Sequence, residues 1–108
     1  MTGEAPREGY IPLVYGRRQD KPLKPRQARL METLLPRLAM PDGQAGPIDL
    51  KAIFPDTEDI ELEVGFGGGE HLAWHAARRP GTGFIGAEPF VNGVAKLLVA
   101  IDENGLEN

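Results

Sequence analysis

Glu63, Gly65, Gly67, Gly69 and Glu88 are the residues of this chain whose types and spacing fit the holding of a small cofactor. Ile60-Glu61-Leu62-Glu63-Val64 alternates with a period of two, as a strand does. The glycines of Gly65-Phe66-Gly67-Gly68-Gly69 then stop it before a helical pattern begins at Glu70. Glycine has no Cβ, so the backbone at 65, 67 and 69 is free to take positive φ and to let a ligand come close. A second strand, Gly83-Phe84-Ile85-Gly86-Ala87-Glu88, ends in a carboxylate 19 residues past Gly69. In a βαβ nucleotide unit an acid about 20 residues beyond the glycine loop accepts hydrogen bonds from ribose hydroxyls, and this is the role expected of Glu88.

The identity of the ligand follows from what the loop lacks. A dinucleotide fingerprint, G-x-G-x-x-G, would place its third glycine at position 70, where Glu70 stands, and no Lys followed by Ser or Thr completes a P-loop. Glu63 and Glu70 would flank a bound phosphate and repel it. S-adenosyl-L-methionine, with a sulfonium, an ammonium and an unphosphorylated ribose, fits such a site better. A NAD-binding Rossmann oxidoreductase and a cofactor-free RNA-binding module stay open as alternatives.

Several elements must position these groups. Beyond the glycine loop, Leu72, Ala73, Ala76 and Ala77 give a helix a narrow face of small side chains, ended by Arg78-Arg79-Pro80-Gly81. Past Glu88, Val94, Leu97, Leu98 and Ile101 mark a further helix that stops at Asn104-Gly105, and Leu106-Glu107-Asn108 reads as the approach to a third strand. Upstream, Pro25 suits a first helical turn, and Leu30, Met31, Leu34, Leu35 and Leu38 recur at helical spacing until Pro36 kinks or ends the pattern. Residues 1–24 are expected to form a basic arm, 25–58 a helix and linker, and 59–108 the first βαβα part of an α/β, doubly wound, Rossmann-like sheet of which only the N-terminal half is present. Two parallel strands need neighbours, so the chain reads as truncated.

Composition narrows the setting. There is no cysteine, hence no disulfide and no thiolate metal site. His71 and His75, four apart with no third ligand nearby, read as surface or packing histidines, and no metal is expected. Neither a signal peptide nor a membrane span is visible, which suggests a cytoplasmic protein. Charge is uneven: residues 1–37 hold eight Lys or Arg against four acids, and residues 38–108 hold four against twelve. The excess lies in Arg17, Arg18, Lys21, Lys24, Arg26 and Arg29, a segment suited to nucleic-acid phosphates, which basic side chains bind by releasing counterions.

Glu63-x-Gly65-x-Gly67-x-Gly69 resembles motif I of the class I methyltransferases. Taken with Leu62-Glu63-Val64-Gly65-Phe66-Gly67, Phe84-Ile85-Gly86-Ala87-Glu88, Gly93-Val94-Ala95, and Tyr15-Gly16-Arg17-Arg18, the chain from about residue 14 to 108 is similar to the bacterial tRNA (guanine-N7-)-methyltransferases. The resemblance implies methyl transfer from S-adenosyl-L-methionine to N7 of a guanosine in the tRNA variable loop, with Glu63 and Glu88 at acidic cofactor-contacting positions. It also implies a catalytic aspartate in a Pro-Asp-Pro-Trp-like motif downstream, so that no catalytic residue is expected in this chain.

Overall fold

The computed structural model describes residues 21–41 and 46–108. In chain order the elements are α1 (Pro25–Thr33), α2 (Leu35–Leu38), α3 (Leu50–Ile53), β1 (Asp59–Val64), α4 (Glu70–Arg78), β2 (Thr82–Ala87) and α5 (Val91–Asn104). The strands pair in parallel, from Asp59 opposite Thr82 to Val64 opposite Ala87. Their carboxyl ends therefore coincide, and β1-α4-β2 is the expected βαβ unit, extended by α5.

α1 starts at Pro25, which has no N–H to leave unpaired, and Gln27 Oε1 accepts the Lys24 N–H at 2.9 Å. The helical run breaks at Leu34, between Thr33 and the short α2 that contains Pro36, as the missing proline N–H requires. Of the apolar stripe only Leu30 is buried, and Leu38 is 46% exposed. The segment read as plain linker contains α3, capped by Asp49, whose Oδ1 accepts from Lys51 N at 3.1 Å and Ala52 N at 3.3 Å. The turn residues 42–45 lie outside the described residues.

Leu30, Phe66, Leu72, Ala73, Ala76, Ala95 and Leu98 form the core. Its alanines let the helices approach closely, and Ala95, with no exposed surface, marks its centre. Arg26 on α1 reaches the end of α5, 2.8 Å from Asp102 and 3.0 Å from Glu103. The hydrogen bond that it donates to Asp102 is the main reason its guanidinium is held above the usual arginine range.

The two faces of the sheet differ. Glu61 and Glu63 stand opposite Phe84 and Gly86 on the side of α4, where Glu61 accepts from Arg79 and a Cβ at Gly86 would strike Phe66 and Leu72. On the other side Phe54 fills the space over Gly83, while Leu62 and Val64 are 63% and 75% exposed. The alternation seen in the sequence thus has its acidic half toward the helix and its apolar half open among the described residues. Arg79, by its hydrogen bond, holds the Glu61 carboxyl below the usual glutamate range. Because the folded value is lowered, this link contributes fully above the unfolded value and is lost as pH falls through the folded one.

Beyond α5, Asn108 closes the unit. Its carbonyl accepts the Phe84 N–H at 2.7 Å on the outer edge of β2. Its side-chain amide lies 3.0, 3.0 and 2.9 Å from the carbonyls of Ala76, Arg79 and Thr82. An amide carries two protons, so three acceptors share them. Asn108→Ala leaves partly buried carbonyls unpaired and should cost about 1–3 kcal/mol, read as a lower urea midpoint with unchanged slope. An unchanged midpoint would show that water replaces the amide without loss.

Candidate cofactor-binding site

The site lies at the carboxyl ends of the two strands, where open α/β sheets take their ligands. Gly65 N–H still belongs to the sheet and donates to the Ala87 carbonyl at 2.6 Å. Past it the chain turns through Gly65, Gly67 and Gly69 at φ of 74°, 64° and 79°, a left-handed conformation that a side chain at these positions would resist.

The three glycines are not equivalent. A Cβ built on Gly65 or Gly67 would meet nothing within 4 Å, so both present bare backbone to open space. Gly69 is buried at the start of α4, and a Cβ there would stand 2.7 Å from Leu97 Cδ1. Its lack of a side chain lets α5 pack against the loop. Gly68 lies between the Lys96 and Glu70 side chains, 3.4 and 3.6 Å from where its own Cβ would be.

Glu88, just past β2, turns back onto the loop. Its Oε1 accepts the Gly67 N–H at 2.7 Å and its Oε2 accepts the Phe90 N–H at 3.2 Å. Each carboxylate oxygen has a further lone pair for a second donor, and the side chain is only half-buried. Glu63, also half-buried, is the penultimate residue of β1 and stands opposite Gly86. Parallel register thus brings both acids and Gly65 and Gly67 to one end of the sheet.

Gly93 completes the arrangement, and spacing alone gives it no such role. A Cβ on it would fall 2.1 Å from the Gly67 carbonyl oxygen and 3.1 Å from Glu88 Cγ. The first turn of α5 therefore rests directly on the loop and on the side chain that holds it. The available signal is a glycine inside an otherwise apolar helical pattern, which implies close packing.

The basic residues are dispersed. Arg17 and Arg18 lie outside the described residues. Lys21, Lys24 and Arg29 are exposed along and before α1, and the Lys21 carbonyl accepts from Asn92 Nδ2 at 3.0 Å. Arg26 differs from the expectation: it is committed to Asp102 and Glu103 because α1 lies against α5, so a phosphate would have to compete with two carboxylates. No group of three or more His, Asp or Glu able to hold a metal occurs among the described residues. No helix among them is long and apolar enough to cross a membrane.

A parallel βαβ unit with a glycine turn and an acid after its second strand is the arrangement with which Rossmann-like folds begin, and residues 57–108 match the family model described as "Putative methyltransferase". Similarity to individual proteins is more specific. The chain is 48% identical over 104 residues to a tRNA (guanine-N(7)-)-methyltransferase of Caulobacter vibrioides, covering 95% of this chain and 45% of that protein. It is 54% identical over 95 residues to the protein of that name from Rhizobium meliloti, covering 87% and 41%, and 50% identical over 90 residues to one from Brucella abortus, covering 82% and 39%. Over the matched residues the chain is thus similar to proteins named tRNA (guanine-N(7)-)-methyltransferase, the likeness that the sequence motifs implied. It spans less than half the length of the curated relatives it matches.

The contact at Gly93 makes a directional prediction. In a helix interior Ala is favoured over Gly by about 0.8–1.0 kcal/mol, yet here its methyl group must displace a backbone carbonyl. Gly93→Ala should therefore loosen the loop, seen as faster hydrogen exchange at the Gly67 amide with α4 amides unchanged. Slower or equal exchange would mean that helix propensity wins.

Proposed function

We propose that this chain is the cofactor-binding part of a tRNA (guanine-N7-)-methyltransferase that uses S-adenosyl-L-methionine. The observation that carries the reading is the Glu88 carboxylate, held on the Gly67 N–H with lone pairs to spare, beside glycines whose open side admits a ligand. Glu88 would accept the ribose hydroxyls. Gly65 and Gly67 would let the loop backbone close on the cofactor, and Glu63 would face its cationic end. Gly69 would serve indirectly, by seating the loop on α5.

When bound, the cofactor supplies an electrophilic methyl on a sulfonium. Guanine N7 carries a free lone pair, so no base is needed to remove a proton before attack, and what remains is positioning. The residues of this chain bind and orient; none of them is assigned a catalytic role. The relatives' name supports tRNA as the substrate. Exposed Lys21, Lys24 and Arg29, with Arg17 and Arg18 before them, would contact its phosphates, and Arg26 would join them only by leaving α5. A reaction on tRNA suits a cytoplasmic enzyme.

Calorimetric titration with S-adenosyl-L-methionine and with NAD tests the cofactor. Binding of the former alone is expected; binding of NAD alone would favour an oxidoreductase, and binding of neither a cofactor-free module. Glu88→Ala should weaken S-adenosyl-L-methionine binding about ten- to a hundredfold, as hydrogen bonds to a charged acceptor contribute about 1.5–3 kcal/mol. Unchanged affinity would remove the ribose role. Replacing Arg17, Arg18, Lys21 and Lys24 together by alanine should lower the slope of log K for tRNA against log salt by roughly three and leave cofactor affinity unchanged. An unchanged slope would make the arm a bystander.

A further inference from the structure

The outer side of α4 carries His71, Trp74 and His75, and the i, i+4 spacing stacks the two imidazoles over one helical turn. Their Nε2 atoms lie 2.9 Å apart, with ring centroids 4.4 Å apart and planes inclined by 69°. Trp74 meets His75 edge-on at 5.0 Å, and the Arg78 guanidinium covers the indole at 3.8 Å. His71 is exposed and His75 half-buried, so the two nitrogens meet at a wall that solvent can reach.

We propose that His71 and His75 form a two-imidazole chelating site for a late divalent transition metal such as Ni2+ or Cu2+. Two imidazole nitrogens each about 2.0–2.1 Å from a metal stand about 2.9 Å apart at a right angle, and about 3.3–3.4 Å apart at a tetrahedral one. The observed 2.9 Å is the length of an ordinary hydrogen bond between the rings, and it brings the two nitrogens within reach of one metal ion in either geometry. Without metal the short contact is a hydrogen bond, one ring donating from Nε2–H and the other accepting at Nε2. Metal binding needs both Nε2 lone pairs, so the donor ring moves its proton to Nδ1 and the pair's charge is unchanged. The charged groups nearby are Glu70 beside His71, Arg78 over Trp74, and Glu61 engaged by Arg79. With no cluster of three ligating groups among the described residues, water or a partner's donor would complete the coordination. Imidazole donors select against Mg2+ and Ca2+, which take oxygen. The site is separate from the glycine loop and does not rest on the methyltransferase reading.

Trp74 is the single tryptophan of the chain and reports on the site directly. Titration with Ni2+ should quench its fluorescence saturably, whereas Mg2+ should not. His71→Gln and His75→Gln, each checked for helix content by circular dichroism, should each weaken the apparent Ni2+ affinity at least tenfold. Equal affinity in either variant, or equal quenching by Mg2+, overturns the proposal. Electron paramagnetic resonance of the unmutated chain with one equivalent of Cu2+ gives an independent reading: two coordinated imidazole nitrogens are expected, and one or none overturns it.

Discussion

Contact between the first turn of α5 and the carbonyl of Gly67 is the constraint on which the site depends. Helix and loop meet so closely that no Cβ fits at Gly93, and Leu97, one turn on, fills the space beside Gly69. The loop is thereby pressed by a helix and held by Glu88, itself in contact with the start of that helix. A glycine-rich segment has the most conformational freedom to lose on ordering, and these contacts restrict it before any ligand arrives. The same glycines thus serve two ends: 65 and 67 leave room for a ligand, while 69 and 93 let the helices close behind them.

Charge on the sheet supports this division. Glu61 and Glu63 point to the α4 side although they alternate with Leu62 and Val64, a pattern that by itself suggests apolar in and acidic out. Arg79 makes the arrangement tolerable at Glu61. Glu63, nearer the loop, stands opposite Gly86 and is half-buried. The open apolar pair on the other face has the exposure of a surface on which further polypeptide packs in doubly wound proteins.

Most of the fold was legible because its signals are local. Glycines after a strand, a carboxylate at the end of the next, and proline at a helix start each act within a few residues, and they located β1, α4, β2, α5 and the start of α1. What escaped depends on distant contacts. Arg26 looked like one of a row of phosphate-binding cations, since nothing in its neighbourhood announces that Asp102 and Glu103 will lie beside it. Gly69 carries the same spacing signal as Gly65 and Gly67, and spacing does not show that its Cβ position is filled by Leu97. α3 had a readable cap in Asp49, but the surrounding prolines and glycines outweighed it.

The side chain of Asn108 bears on the order in which the chain can assemble during synthesis. Its three acceptors lie 26 to 32 residues upstream, at the end of α4 and the start of β2. A ribosome must therefore translate all of α5 before the corner between α4 and β2 is saturated with hydrogen bonds. Until then that corner relies on water, and closing a loop of this length carries an entropic cost that local turns do not. The nascent βαβ unit thus gains these hydrogen bonds only when the chain returns to the sheet.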